Sequence, residues 1–490
     1  MVFSSSIFLI CFLPICLLAY EVVPKVLGKR TDRRTVQNII LLIFSILFYS
    51  LGGVKYLALM LLIILINYAG GFLCCKGRHS DAARTVFLVL IIQINLLILL
   101  FFKYSNFVVS IIENVFFNEE RKLVALQNIL MAKGNGHLGF PEIVLPIGIS
   151  FYTFQALSYV IDVYRDKVKL QSNPFYFALY ISFFPQLIAG PIVQYKDIED
   201  QIINREENVN KVAAGIKRFC YGFAKKVIIA NTMAEIVDSV WALDFENMGA
   251  LLAWFGAICY SFQIYYDFSG YSDMAIGLAG MFGFELKENF NYPYQAESIK
   301  EFWRRWHISL SSWFRDYVYI PLGGSRNGTG KTYRNLFLVF LLTGIWHGAN
   351  WTFVVWGVSY GILLILERAF LGEKLEKIKW KSIRRILVFV VVTILWVVFR
   401  ADNILDAGAF ISRMFIGGKG EYNIFTYLSA KSFICFIFAV LCGGILQKIN
   451  INKRNLIYRF FSYAFAIVLL LVGMFMLVNG TYNPFIYFQF

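Results

Sequence analysis

Of the four histidines in this chain, His79 and His137 lie in polar connecting stretches, whereas His307 and His347 stand beside residues that could do chemistry. His347 sits inside the apolar run LFLVFLLTGIWHGANWTFVVW. An ionisable side chain within an apolar span is costly and marks a functional site by default. On a helix it would share a face with Thr343, Asn350 and Trp351, while Gly344 and Gly348 keep the local surface open. A neutral imidazole oriented by a hydroxyl or amide can act as a general base toward a hydroxyl nucleophile. The spacing fits equally a packed histidine bonded to a neighbouring helix, and periodicity alone leaves both readings open.

The segment before it, EFWRRWHISLSSWFRDYVY, has a helical signature over 301–320. Trp303, Trp306, Leu310, Trp313 and Tyr317 recur at spacings of three and four, which predicts one apolar seam. Arg304, His307, Ser311 and Arg315 fall on a neighbouring face, so the pattern suits a helix at the membrane–water boundary. The other reading is an interfacial anchor without chemistry, and composition alone favours it. A second polar concentration, QIYYDFSGYSDMAIG, puts Gln263, Asp267, Ser269, Tyr271 and Asp273 in an apolar stretch. Such carboxylates serve as proton relays or as structural groups paired with cations, and the arginines of 304–315 are the expected partners.

These groups must be held by an apolar scaffold. Hydrophobic residues make up 58% of the 490, and charged residues only 16%. That composition predicts an all-α polytopic membrane protein with one domain spanning 1–490, because helices satisfy their own backbone in lipid. Candidate spans are 3–22, 38–52, 54–75, 86–102, 143–161, 175–193, 212–235, 249–284, 336–366, 383–399, 433–446 and 458–478. About eleven crossings are expected, with re-entrant and interfacial helices around a central funnel. Two runs, 249–284 and 336–366, are too long for single crossings; the second would extend ~45 Å and is expected to break near Gly344–Gly348. Pro146, Pro185 and Pro191 suggest re-entrant segments lining a cavity. The stretch 117–142 reads as a solvated loop.

The net charge of +15 is spread in short clusters between apolar runs, which fits cytoplasmic loops and not a nucleic-acid face. Placing KVLGKRTDRR, KGRHSDAAR and INKRNLIYR inside puts both termini outside the membrane, the tail 479–490 included. The opening stretch reads as a retained first helix. The eight cysteines read as buried small hydrophobes: Cys74 and Cys75 are adjacent, a spacing unsuited to a disulfide or zinc. No metal-binding histidine pair, Walker loop, dinucleotide fingerprint or Gly-x-Ser-x-Gly elbow is present, so no metal and no bound cofactor is expected. No internal repeat favours a transporter built on Asp267, Asp273 and His347, though that class stays as an alternative.

Several longer strings go further: QALSYVIDVYR (155–165), FFPQLIAGPIVQY (183–195), YYDFSGYSDMAIGLAGMFGF (265–284), NFNYPYQAESIKEFWRRWHISLSSWFRDYVYIPLGGSR (289–326) and TGIWHGANWTFVVWG (343–357). Together the chain resembles the membrane-bound O-acyltransferase family, in its bacterial polysaccharide O-acetylase branch. The resemblance implies a ring of helices around a tunnel, with His347 as the catalytic histidine of a WHG motif and His307 at a second histidine position. It implies an acyl group taken from a cytoplasmic thioester, acetyl-CoA in this branch, and passed to an SGNH-type extracytoplasmic acetyltransferase that modifies an exported polysaccharide. Lys300, Arg304, Arg305 and Arg315 are the candidates for the donor's phosphates. D-alanyl transfer from a carrier protein is the alternative within the class.

The tail NPFIYFQF completes the set. Phe485, Ile486, Phe488 and Phe490 surround Tyr487, a pattern suited to docking into an apolar groove or to an interfacial anchor. A base such as His347 can activate a tyrosine hydroxyl as a covalent nucleophile. The resemblance adds that this motif looks like the family's acyl-relay tail, making Tyr487 the third candidate catalytic residue.

Overall fold

In a computed structural model of the chain, residues 2–28, 32–112, 143–417, 420, 422–446, 455–480 and 486 are described. The 117–142 stretch and Tyr487 lie outside them. Among the described residues every regular element is helical. The first third comprises α1 (Leu13–Leu27), α2 (Arg33–Ser50), α3 (Val54–Cys74), α4 (Asp81–Ile112) and α5 (Ile149–Tyr164). Short pieces follow at the proline-bearing stretch: α6 (Pro174–Ser182), α7 (Phe184–Leu187) and α8 (Tyr195–Asn204). The centre holds α9 (Val209–Ala224), its π-helical extension Lys225–Ala230, α10 (Asn231–Trp241) and α11 (Ala250–Met281). Beyond these lie α12 (Ile299–Arg305), α13 (Ile308–Phe314), α14 (Thr329–His347) and α15 (Trp351–Leu366). The last third has α16 (Gly372–Lys377), α17 (Lys381–Arg400), α18 (Ile404–Ile416), α19 (Ala430–Val440) and α20 (Leu456–Asn479).

Helix starts follow local chemistry. Asp32, Asn173, Asn208, Ser298, Asn350 and Asn403 each accept a backbone N–H of the first turn, satisfying donors that the helix itself leaves orphaned. Six helices among the described residues are long and apolar enough to cross a bilayer: Phe8–Leu27, Val54–Cys74, Asp81–Ile112, Trp351–Lys377, Lys381–Arg400 and Leu456–Asn479. The chain is a multi-pass, all-α membrane protein; six helices of spanning length among the described residues do not confirm the count of eleven expected crossings.

Two expectations about long runs part company. The 336–366 run does break: α14 ends at His347, and α15 starts at Trp351 after Gly348, Ala349 and Asn350. The 249–284 run does not; α11 is one continuous helix of 32 residues. Burial on nearly every face explains its survival, since a helix packed all round needs no polar side to meet water. Its Gly270 and Gly277 face Gly222 and Gly215 of α9. A Cβ at Gly222 would stand 2.6 Å from the Gly270 carbonyl oxygen, and one at Gly215 would stand 2.6 Å from that of Gly277. Small residues at matched seven-residue spacing let the two backbones touch, the packing that membrane helices use where water gives no hydrophobic drive.

The buried side chains form two clusters. The first gathers α1–α8, the end of α11 from Phe268 onward, and Leu310, Trp313, Tyr317 and Trp346. The second gathers α10, the start of α11 up to Tyr266, Trp303, Trp306, Trp356, the core face of α17 and Ile486. Asp267 thus falls between Tyr266 of one cluster and Phe268 of the other. His307 and His347 occupy the same divide.

Candidate active site

The 301–320 stretch is not the single helix its periodicity predicts. α12 ends at Arg305, and α13 starts at Ile308. His307 between them has φ 43° and ψ 54°, the left-handed region that costs a non-glycine residue about 1–2 kcal/mol. The break is held by residues 289–291, which insert between the two short helices. Ile308 donates its N–H to the Asn289 carbonyl at 2.9 Å, and Asn291 donates to that of Arg305 at 2.9 Å. The tryptophan seam is therefore split, its first two members entering one cluster and the rest the other.

His307 is fully buried, with Nδ1 3.2 Å from Asn289 Oδ1. The same oxygen accepts from Ser309 N at 3.2 Å and Ser309 Oγ at 2.8 Å. An acceptor already meeting two donors fits a protonated Nδ1, with the Asn289 amide orientation taken from this network.

His347, 3% exposed, terminates α14. Its Nδ1 lies 2.7 Å from the Thr343 carbonyl oxygen, one turn back. A carbonyl only accepts, so Nδ1 carries the proton and Nε2 of the neutral ring bears the lone pair. Trp356, Trp346 and Phe399 pack edge-on around the ring, with centroids 4.9, 5.1 and 5.5 Å away. Trp346 also lies 6.1 Å from the His307 ring, so one indole separates the two histidines. Asn350, expected on the His347 face, instead caps α15 through Thr352 N at 3.1 Å and donates to the Asp402 carbonyl at 2.7 Å. The break removes it from that face.

The hairpin that presents His347 is built on close contact. A Cβ at Gly357 would meet the Phe340 carbonyl oxygen at 2.4 Å, and one at Gly344 would meet that of Phe353 at 2.4 Å. The C-terminal carbonyls of α14 are met from α4: Lys103 Nζ donates to the Trp346 carbonyl, and Tyr104 Oη to that of Ile345. Tyr104 also reaches the Gly348 carbonyl at 3.3 Å. Neither residue was singled out from the sequence, because the apolar run was read as ending at 102. A lysine directly following FF in an otherwise apolar helix was the available signal.

The cationic candidates divide. Lys300 and Arg304 are exposed, on α12. Arg305 is tied to Glu301 at 2.8 Å and to the Asn291 carbonyl at 3.1 Å. Arg315 lies beyond the break and donates to Asp316 at 2.8 Å. Burial would raise the Asp316 carboxyl, but hydrogen bonding and charge from Arg315 and Lys196 hold it below the usual carboxylate range. A cleft lined by Gln194, Asp197, Leu286, Lys287, Ile308 and Ser309 opens beside the His307 turn, and none of the four cations lines it.

The two intramembrane carboxylates find partners other than those expected. Asp273 meets Arg218 at 2.7 Å and Lys225 at 2.6 Å, and Asp267 meets Lys226 at 2.7 Å. All three cations come from α9 and its π extension, not from 304–315, because the glycine contact brings that helix closest. No cluster of three or more potential metal ligands occurs among the described residues.

The helical membrane scaffold thus encloses two buried histidines, one of them with its Nδ1 fixed by a main-chain carbonyl. The chain belongs to the membrane-bound O-acyltransferase family, whose model matches residues 39–404. It is accordingly an acyltransferase. It is 44% identical over 424 residues to a probable alginate O-acetylase (AlgI) of Pseudomonas aeruginosa, covering 86% of this chain and 76% of that protein. Against a probable alginate O-acetylase of Pseudomonas putida the identity is 39%, with both chains covered in full. A peptidoglycan O-acetyltransferase of Helicobacter pylori is 34% identical, covering 83% of this chain and 78% of that one.

Proposed function

We propose that this enzyme moves acetyl groups from cytoplasmic acetyl-CoA across the membrane for O-acetylation of an exported or cell-surface polysaccharide. The observation that carries this is the His347 ring. Its proton is fixed on Nδ1 by a main-chain carbonyl, and its Nε2 is a base within a water-poor aromatic cage. The relatives support the acceptor class, since their names specify O-acetyl transfer to alginate or peptidoglycan.

In this reading Nε2 takes the proton of the Tyr487 hydroxyl as its oxygen attacks the thioester carbonyl. The C–S bond breaks, the thiolate leaves as CoA and recovers the proton from the imidazolium, and the acetyl group rests as an aryl ester. On the far side, to which this reading assigns the C-terminus, the hydroxyl of a serine in an SGNH-type partner attacks the ester; the acyl–oxygen bond to Tyr487 breaks, and the serine's proton restores the tyrosine hydroxyl. Lys300 and Arg304 offer the donor's phosphates free cations at the cytoplasmic face. The transporter alternative draws no support from the geometry, since Asp267 and Asp273 are already paired with cations.

Membranes incubated with acetyl-labelled CoA test this. The wild type should incorporate label into the protein and, with the partner present, into polysaccharide. Tyr487→Phe keeps the ring and should lose both signals at normal protein level. Incorporation by Tyr487→Phe equal to wild type would eliminate the tyrosine carrier, and label arriving only from a carrier-protein thioester would indicate D-alanyl-type chemistry.

A further inference from the structure

Asp267 and Asp273 lie on the same helix, six residues apart, yet their surroundings differ in one respect. Asp273 engages two cations, one at each carboxylate oxygen: Arg218 at Oδ1 and Lys225 at Oδ2. Asp267 takes Lys226 at Oδ1, 2.7 Å away, and the side chains of this pair are only 2% and 3% exposed. Its Oδ2 accepts the main-chain N–H of Ile486 at 2.8 Å. Ile486 is itself 7% exposed and belongs to the second buried cluster.

α20 ends at Asn479, and seven residues reach at most ~25 Å. Within that length the chain returns from the end of its last spanning helix to the middle of α11. The contact carries a physical demand from both sides. A buried carboxylate needs more than one donor to offset its desolvation, and a buried main-chain N–H needs an acceptor. Here each supplies the other. Along the same helix the next residue, Phe268, packs edge-on against His307 with centroids 4.7 Å apart, so one turn of α11 serves both the socket and the His307 ring on different faces.

We infer that the Lys226–Asp267 pair is a socket for the peptide backbone of the C-terminal segment, anchoring it to the middle of α11 through the N–H of residue 486. The polar recognition runs through the main chain, while the Ile486 side chain packs into the second buried cluster. It holds by its backbone the segment whose next residue is Tyr487. This rests on the reading of Tyr487 as acyl carrier for its purpose, though not for its geometry. Lys226 and Asp267 are positioning residues in this scheme and take no part in the transfer itself.

Two measurements test it. In a background lacking the eight native cysteines, the thiol introduced by Ile486→Cys should react slowly with a water-soluble maleimide. It should react about tenfold faster or more when Lys226→Met and Asp267→Leu are combined, the factor expected for losing a hydrogen bond to a charged group. Continued protection in the combined variant overturns the socket. The second comparison leaves Lys226 and Asp267 in place: Ile486→Pro removes the N–H and also fixes φ, whereas Ile486→Ala keeps the N–H and trims the buried side chain. Acetylation should fall about tenfold or more in Ile486→Pro and stay within about twofold in Ile486→Ala; equal activities overturn the positioning role. An exposed thiol in the combined variant together with full activity of Tyr487→Phe would leave the socket standing and remove the carrier reading instead.

Discussion

The two buried histidines stand either side of one tryptophan, yet they are held by opposite means. His347 is oriented from within its own helix, by a carbonyl four residues back, on a regular backbone. His307 is oriented by Asn289, 18 residues away, and it sits on a left-handed backbone. The first ring is presented by ordinary helix geometry. The second exists where it does because an inserted segment, Asn289–Asn291, outbids the helix for the backbone groups of Arg305 and Ile308. The difference implies that His347 can be altered without disturbing the fold, while the His307 turn is structural as well as chemical.

The largest effect expected from this comparison is at His347. If His347 is the base, His347→Ala should cut acetyl transfer by ~10²–10⁴ while protein level and membrane insertion stay normal. Labelled-acetyl incorporation beside an immunoblot of the membrane fraction reads both. His307→Ala should lose less turnover and more protein. Two equally abundant, equally dead variants would erase the distinction and make the histidines joint catalysts.

Asn289→Ala sharpens the contrast. It strips the acceptor from Ser309 N, Ser309 Oγ and His307 Nδ1 together. Buried donors left unpaired cost about 1–3 kcal/mol each, so the detergent-solubilised protein should melt several degrees lower. Thr343→Ala is the matching change at the other ring, and it leaves the carbonyl in place. Activity and Tm should stay near wild type there; a large loss would mean the Thr343 hydroxyl, and not its carbonyl, orients His347.

How much of this was legible in the sequence follows the same divide. The α14–α15 hairpin was readable because its run is too long for one crossing and carries Gly344 and Gly348, and because a lone histidine in an apolar run stands out; the capping role of Asn350 was not. The membrane class followed from composition, and the long 289–326 string carried the family. The turn at His307 was not readable: Trp303, Trp306, Leu310, Trp313 and Tyr317 keep perfect helical spacing while serving two different clusters. Periodicity reports burial, and here two short helices bury the same residues that one long helix would. The ion-pair partners of Asp267 and Asp273 were missed for a related reason. Their cations are distant in sequence and are brought close by Gly215 and Gly222, whose role appears only once α9 and α11 touch.

Lys103 links the regular side of the comparison to a third helix. If the end of α14 is held by Lys103 and Tyr104, Lys103→Met should leave the hairpin folded but poorly fixed at its tip. A cation at a helix C-terminus contributes up to about 2 kcal/mol in a partly buried setting. Turnover should therefore fall roughly 5–30-fold with little change in KM for the donor, the pattern of a displaced catalytic group. Lys103→Arg should recover part of the loss. Failure of Arg to rescue, with normal protein level, would point to the ammonium's own chemistry and not to capping.

The smallest effect belongs to the outer surface of the strained segment. Lys300 and Arg304 are exposed on α12, whereas Arg305, one residue on, is committed to Glu301 and the Asn291 carbonyl. If the exposed pair contacts donor phosphates, Lys300→Gln with Arg304→Gln should raise KM for acetyl-CoA about 3–10-fold and leave kcat nearly unchanged. Such solvent-screened charges contribute only ~0.2–1 kcal/mol each, and they act equally on ground and transition states. Arg305→Gln should do the reverse, lowering protein level through the loosened Asn291 contact while KM holds. A KM effect confined to Arg305→Gln would move the donor site inward, onto the inserted segment that holds His307.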